Sequence, residues 1–298
     1  MASLSGDLFG YKPLAKIGQG AASEIHLVQD QKTKQIWALK HVVRKSDRDD
    51  RFIQQVEDEF AIGRKLAHPN LRATVDLFRK KKLFKTVEVG LLLEYVDAGS
   101  VDQRMPKTQL EAVLIFHQVA QALAHMHQRG FVHADMKPTN IMVTEDNSVK
   151  VIDLGQACAA GTVKKRIQGT PGYMAPEQAH RGEITQATDI YNFGATMYWV
   201  LVGEVIPTVM PPKDDQSGLY KGAIDTERIP LPVPPHEKVA GIHHLLSKLV
   251  MECIQLDPSA RVPSMERVAT RLELIAELIK SPIANRPIDP SGESQSTA

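Results

Sequence analysis

The sequence predicts an α+β fold in two unlike halves: a small antiparallel-sheet part with one main helix, then a larger helical part. Three observations predict it. Strand-like alternation and short turns fill most of the first ninety-odd residues. From residue 96 onward apolar residues recur at helical spacing. The length of 298 residues suits one large domain or two small ones. Taken in order, residues 14–19 and 23–28 flank a turn rich in glycine and alanine and read as strands. Residues 35–43 place Ile36, Ala38, Lys40 and Val42 on one face of a third strand. Residues 52–66 carry Phe52, Val56, Glu59, Gly63 and Leu66 at helical spacing, and His68-Pro69-Asn70 closes that helix, because proline disfavours helical backbone in the residue before it. Strand text resumes over 73–77 and 83–95, split by a basic turn at Lys80-Lys81-Lys82.

The second half opens on Thr108 and Glu111, a capping box for a helix running to Gly130 with Leu110, Val113, Leu114, Val119, Leu123 and Met126 as its buried face. Further helices are expected over 189–202, 242–254 and 264–280, the last capped by Ser264. Residues 207–236 hold seven prolines among polar residues and read as an irregular excursion, and 281–298 as a flexible tail.

Composition excludes several classes. Lys plus Arg number 36 against 35 Asp plus Glu, so the net charge of +1 makes no bulk electrostatic case for nucleic acid. The longest apolar runs, such as 113–116 and 196–202, fall far short of the ~18 residues a membrane span needs. The first seven residues carry no basic stretch followed by an apolar block, so no secretory signal is read there. Two cysteines, Cys158 and Cys253, are too few for a disulfide framework. The expectation is a reduced, cytoplasmic location; the sequence is silent on oligomeric state.

Chemistry-bearing text begins with Ile17-Gly18-Gln19-Gly20-Ala21-Ala22-Ser23-Glu24-Ile25, where small residues between two strands let backbone N–H groups approach phosphate oxygens. By itself this segment also reads as an ordinary glycine-rich hairpin turn. Ala38 and Lys40 share one strand face and are able to present a methyl and an ammonium to the same ligand. Further on come His133-Ala134-Asp135-Met136-Lys137-Pro138-Thr139-Asn140, Val151-Ile152-Asp153-Leu154-Gly155 and Gly169-Thr170-Pro171-Gly172-Tyr173-Met174-Ala175-Pro176-Glu177. Asp135, Lys137, Asn140 and Asp153 stand within nineteen residues beside apolar strand text, which argues for a shared purpose.

Together these five motifs resemble the signature set of the Ser/Thr protein kinase family, in order and with family-like gaps, and look most like its compact bacterial members. The resemblance implies a kinase domain over 9–280, with a sheet-rich lobe at 9–93, a helical lobe at 94–280 and ATP between them at a hinge near Glu94. Phosphoryl transfer needs positioners and charge stabilisers more than covalent chemistry. By resemblance, residues 17–25 cover the ATP phosphates, Lys40 grips them while paired with Glu59, and Leu93 closes the adenine pocket. The base edge meets backbone groups of Glu94 and Val96, and its faces meet Ile25, Ala38 and Met142. Asp135 orients and deprotonates the acceptor hydroxyl, Lys137 neutralises the transferred phosphoryl group, and Asn140 and Asp153 hold Mg²⁺ through hard oxygen donors. Thr170 hydrogen-bonds the catalytic aspartate and lysine, Glu177 and Arg261 form a buried ion pair, and Asp189 ties the catalytic loop to a helix unless it is an ordinary helix N-cap. Protein Ser/Thr hydroxyls are the implied acceptors. A partner-docking ATP-binding scaffold without transfer is the rival.

Departures from the family are Ser23 for the third loop glycine, Leu154 for the usual Phe, Ala134 for the usual Arg, and Gly63 where a bulky apolar residue is normal. None removes a reacting group. Gly63 predicts an unfilled site beside Leu154 and a loosely docked helix, because glycine costs ~1 kcal/mol in a helix interior and an empty apolar site ~2 kcal/mol or more.

Overall fold

The computed structural model describes residues 7–20, 22–207 and 230–280. Ala21, most of the proline-rich excursion and the 281–298 tail lie outside the described residues. The chain divides into two units, one of residues 1–97 with the short stretch Asp153–Gly155, the other of residues 98–152 and 156–298.

The first unit is a five-stranded antiparallel sheet in the order β1-β2-β3-β5-β4, built from β1 (Tyr11–Gln19), β2 (Ser23–Asp30), β3 (Ile36–Val43), β4 (Thr74–Lys82) and β5 (Lys85–Glu94). The period of two gives it two apolar faces. On one, Ala38, Val42, Leu91 and Leu93 pack with Ile53 and Val56 of helix α1 (Asp50–Gly63). On the other, Val28, Leu39 and Leu92 are covered by Phe9, Tyr11, Trp37 and Phe78. Helix α1 stops at Gly63, three residues before the expected end at Leu66, where glycine's low helix propensity meets a turn closed by Leu66 N–H to the Gly63 carbonyl. A second boundary also moves. The lysines at 80–82 lie within β4, paired with β5, and the turn falls on Leu83 and Phe84.

The second unit carries a three-stranded sheet, β6 (Gly99–Ser100), β8 (Ile141–Val143) and β9 (Val149–Val151), and two small antiparallel pairs. These pairs join β7 (Phe131–Val132) to β10 (Cys158–Ala159), and β11 (Thr162–Val163) to β12 (Glu183–Ile184). Its helices are α2 (Gln109–Gln128), α3 (Pro176–Ala179), α4 (Gln186–Val202), α5 (Pro235–Lys238), α6 (His244–Cys253) and α7 (Met265–Ile279). The Thr108 hydroxyl accepts from Glu111 N–H at the start of α2, one half of the predicted capping box; the Glu111 carboxylate accepts from Lys107 N–H instead of closing the box on Thr108. Most of the predicted buried face of α2 is buried: Val113, Val119, Leu123 and Met126, joined by Ile115, Phe116, Ala120 and His127. Leu114 is the exception at 44% exposed, because helical spacing places it in the polar stripe of Glu111, Gln118, Gln121 and His125. Phe116 meets Phe193 of α4 edge-on, ring centroids 5.3 Å apart.

Cys158 packs in a small apolar cluster with Val132, Ala134 and Ile184, and burial raises its thiol pKa, so it acts as a filler. Among the described residues no helix is long and apolar enough to cross a membrane.

Candidate active site

In the first unit the chemistry gathers on one face of β3. Register places Lys40 opposite Leu91 and Ile25, and Ala38 opposite Leu93, so the ammonium stem and the methyl share the face covered by α1. Lys40 Nζ donates to Glu59 Oε2 at 2.7 Å and to Asp153 Oδ1 at 3.1 Å. Burial alone lowers the Lys40 pKa, but Glu59 and Asp153 more than offset it and push it up to about 12, so the ammonium stays charged at any working pH. Glu59, 2% exposed, is the helix carboxylate that reaches it; Glu57 pairs instead with Arg79 at 2.6 Å.

Asp153 has a φ of +63°, an uncommon conformation for a residue with a side chain. Its carboxylate accepts from Gly155 N–H at 3.3 Å, and Gln55 of α1 donates to the Gly155 carbonyl at 2.8 Å, which ties this turn to the helix bearing Glu59. The glycine-rich segment is the β1–β2 hairpin, with Gly18 opposite Ile25 and Gln19 opposite Glu24. Gly20 N–H bonds the Ser23 carbonyl at 2.8 Å, and a Cβ on Gly20 would lie 2.6 Å from Ser23 Oγ, so a side chain there would make the serine hydroxyl rotate away. Ile17 is exposed, Ala22 lies in the turn, Glu24 is on β2, and Glu94 ends β5 with Val96 two residues on, both half-buried.

Two neighbours of this cluster were not legible beforehand. Gly63 does not leave a gap: a Cβ built on it would come 2.8 Å from Thr74 Cβ and clash with the Thr74 hydroxyl. The expectation of an empty site is therefore corrected, since Thr74 at the start of β4 already fills it. Gly63→Leu is expected to lower stability by ~1–3 kcal/mol through overpacking, outweighing the ~1 kcal/mol gained in helix propensity. Thermal melting checks this, and a raised midpoint would show that Thr74 swings aside. Two residues before Thr74 stands Arg72. Burial lowers its pKa, while Glu59, Asp153 and Glu94 act to raise it, which places a second cation in the electrostatic neighbourhood of the Lys40 pairs. A charged residue between apolar Leu71 and the β4 strand was the only sequence signal for it.

In the second unit, Asp135 is the centre. Thr170 Oγ1 donates to Asp135 Oδ1 at 2.8 Å, and Lys137 Nζ donates to Asp135 Oδ2 at 2.9 Å and to Thr170 Oγ1 at 3.0 Å. Asn140 Nδ2 donates to the Asp135 backbone carbonyl at 2.8 Å, which fixes the orientation of the amide. Met142 lies on β8 beside Lys150 and is half-buried.

The loop bearing Asp135 is held by its backbone. Asp189, fully buried, accepts from His133 N–H at 2.8 Å and Ala134 N–H at 2.7 Å, and contacts His127 Nε2 at 2.8 Å. It is not the N-cap of α4, a position taken by Thr185. Ala134 has a φ of +62°, and its carbonyl accepts from Gln178 at 2.8 Å, so this unusual peptide is held at both ends. Beside it lies a small cavity of about 10 Å³ lined by Lys164, Gln168 and Arg181 among others.

Gln178 is in turn fixed by Asn192 at 2.9 Å, and Thr196 donates to the Met136 carbonyl at 3.2 Å. Sequence reading missed Gln178, Asn192 and Thr196. Asn192 and Thr196, one turn apart in the mainly apolar stretch after Asp189, were the available signal. Glu177 and Arg261 form a two-pronged pair at 2.7 and 2.9 Å; the same guanidinium lies over the Tyr191 ring at 4.9 Å.

The family model for the protein kinase domain matches residues 11–272. Among curated proteins, the chain is 30% identical over 275 residues to the serine/threonine-protein kinase PknB of Mycobacterium leprae, covering 89% of this chain and 42% of that protein. It is 30% identical over 276 residues to PknB of Mycolicibacterium smegmatis, covering 89% and 41%. Similarity also extends to the rat calcium/calmodulin-dependent protein kinase type 1B, at 31% over 215 residues, 70% of this chain and 59% of that protein. The chain thus spans about two fifths of the length of its mycobacterial relatives.

Proposed function

Because the chain belongs to the protein kinase family, we propose that its 9–280 domain transfers the γ-phosphate of Mg²⁺-bound ATP to serine and threonine hydroxyls of proteins. The observation that carries this reading is the closed set of bonds among Asp135, Lys137 and Thr170, which aims one carboxylate while leaving a lysine beside it.

The first unit supplies the nucleotide grips. The hairpin around Gly18 and Gly20 offers N–H donors to phosphates, Ala38 and Leu93 offer an apolar surface to the base, and the backbone of Glu94 and Val96 its polar edge. Lys40, kept charged and oriented by Glu59, clamps the phosphates. The second unit supplies the acceptor chemistry. Asp135 accepts the proton of the incoming hydroxyl, and Lys137 offsets the charge that develops on the phosphoryl group. Magnesium fits the donor set, since Asp153 brings a carboxylate and Asn140 an amide oxygen whose other end is tied down, and Mg²⁺ favours one or two such ligands plus phosphates and water. When bound it would neutralise and orient the phosphate chain. The rival scaffold reading drew on a gap at Gly63 and on the altered glycine loop; Thr74 removes the first of these reasons.

Lys40→Met is the test of this assignment. Losing a charged hydrogen bond to phosphate costs ~1.5–3 kcal/mol, so kcat/KM for ATP is expected to fall ~10–100-fold. A thermal melt of the same variant checks that it is folded, since the change leaves the buried Glu59 without its Lys40 hydrogen bond. Unchanged kcat/KM in a folded Lys40→Met protein would remove the lysine from the phosphate site.

A further inference from the structure

The β4–β5 hairpin turns on two residues, Leu83 and Phe84, between the paired Lys82 and Lys85. Turns of this length are normally built from Asn, Asp or Gly, because one or both positions need a left-handed backbone. Leu83 adopts that conformation, with φ +56°, despite its side chain. Leu83 is 89% exposed and Phe84 98%, so neither apolar side chain repays the awkward backbone by packing within the chain. An apolar tip held in a strained turn and touching almost nothing of its own fold indicates a surface used elsewhere.

Charge identifies the surface. Residues 79–85 hold five cations, Arg79, Lys80, Lys81, Lys82 and Lys85, with no acid among them, in a chain whose net charge is only +1. Arg79 pairs with Glu57, Lys80 with Glu88 and Lys85 with Asp47, while Lys81 and Lys82 have no ion-pair partner among the described residues. We propose that the Leu83–Phe84 tip and its surrounding lysines form a peripheral docking site for an anionic lipid surface.

A bilayer suits this shape better than a protein groove or a nucleic acid. The tip is convex and projects two apolar side chains, and leucine offers no flat face for a base to stack on. Leucine and phenylalanine enter the boundary between headgroups and acyl chains, and lysine stems lie along the apolar layer while their ammonium groups reach the lipid phosphates. One short anchor of this kind gives reversible, salt-sensitive attachment.

The experiment is flotation of the purified chain with vesicles of phosphatidylcholine alone or containing about 30% phosphatidylserine, a fraction that gives a clearly negative surface. Two variants accompany it: Leu83→Asn with Phe84→Gly, which puts a residue that tolerates the left-handed backbone at 83 and removes both apolar side chains, and Lys81→Glu with Lys82→Glu. The wild type should float with the anionic vesicles at least tenfold better than with neutral ones, and both variants should lose at least tenfold of that binding. The Asn-Gly variant should keep or raise the melting midpoint and retain kinase activity, which separates lost docking from lost folding. Wild-type binding that survives in the Asn-Gly variant would reduce the site to a bare charge patch and overturn the proposal. So would absence of wild-type flotation, whether or not the tip then mediates self-association or capture of an acidic polypeptide.

Discussion

Asp135→Asn is expected to slow phosphoryl transfer by ~10²–10⁴ while the protein melts at the wild-type temperature. Asparagine has the same shape, so its Oδ1 still accepts from Thr170, and the backbone carbonyl at 135 still holds the Asn140 amide. The change is chemical. An amide does not take up the proton of the acceptor hydroxyl, and the Lys137 ammonium, 2.9 Å from Asp135 Oδ2, loses a carboxylate partner. Initial rates at saturating ATP, with a thermal melt of the same sample, check both parts. A folded variant that keeps more than about a tenth of the rate, ~1.4 kcal/mol in barrier, would mean another group accepts the proton.

Arg261→Ala should give the largest stability loss, ~3–5 kcal/mol, with a melting midpoint lower by on the order of 10 °C. The guanidinium is fully buried and makes two bonds to Glu177. It also donates to the carbonyls of Ala187, Gln255 and Leu256. Truncation would leave the Glu177 carboxylate with the Thr188 hydroxyl alone among these partners, and would strand three acceptors at once. Arg261→Lys should recover only part of the loss, because an ammonium does not reproduce the planar fork. A shift below about 2 °C for the alanine variant, less than ~1 kcal/mol at this chain length, would show that the surrounding segment relaxes to satisfy these groups.

What was legible in the sequence is what chemistry constrains by type and spacing. Lys40, Asp135, Lys137, Asn140 and Asp153 stood out because two carboxylates, an amide and two ammonium groups have few substitutes in phosphoryl transfer. The choice of Glu59 over Glu57 rested on motif spacing, and the structure gives each a different cation, Lys40 and Arg79. Packing was far less readable. Gly63 advertised a missing side chain, but that Thr74 fills its place depends on how β4 lies against α1, which no local pattern encodes. On α2 only Leu114 was misplaced, because a leucine there reads as core although it shares the polar stripe of Glu111, Gln118, Gln121 and His125. At the β4–β5 hairpin, lysines look like turn residues and Leu-Phe like strand, whereas strand register reverses the two. That reversal put an apolar pair at a turn.

The central claim is that this chain moves phosphate rather than merely holding nucleotide. It is tested most directly by incubating the purified protein with γ-labelled ATP and a generic acceptor protein, with Mg²⁺ or with EDTA, and identifying the labelled amino acid. The account predicts label on serine and threonine in the presence of Mg²⁺ and none with EDTA. Saturable ATP binding with no label on any acceptor, the chain itself included, would contradict it.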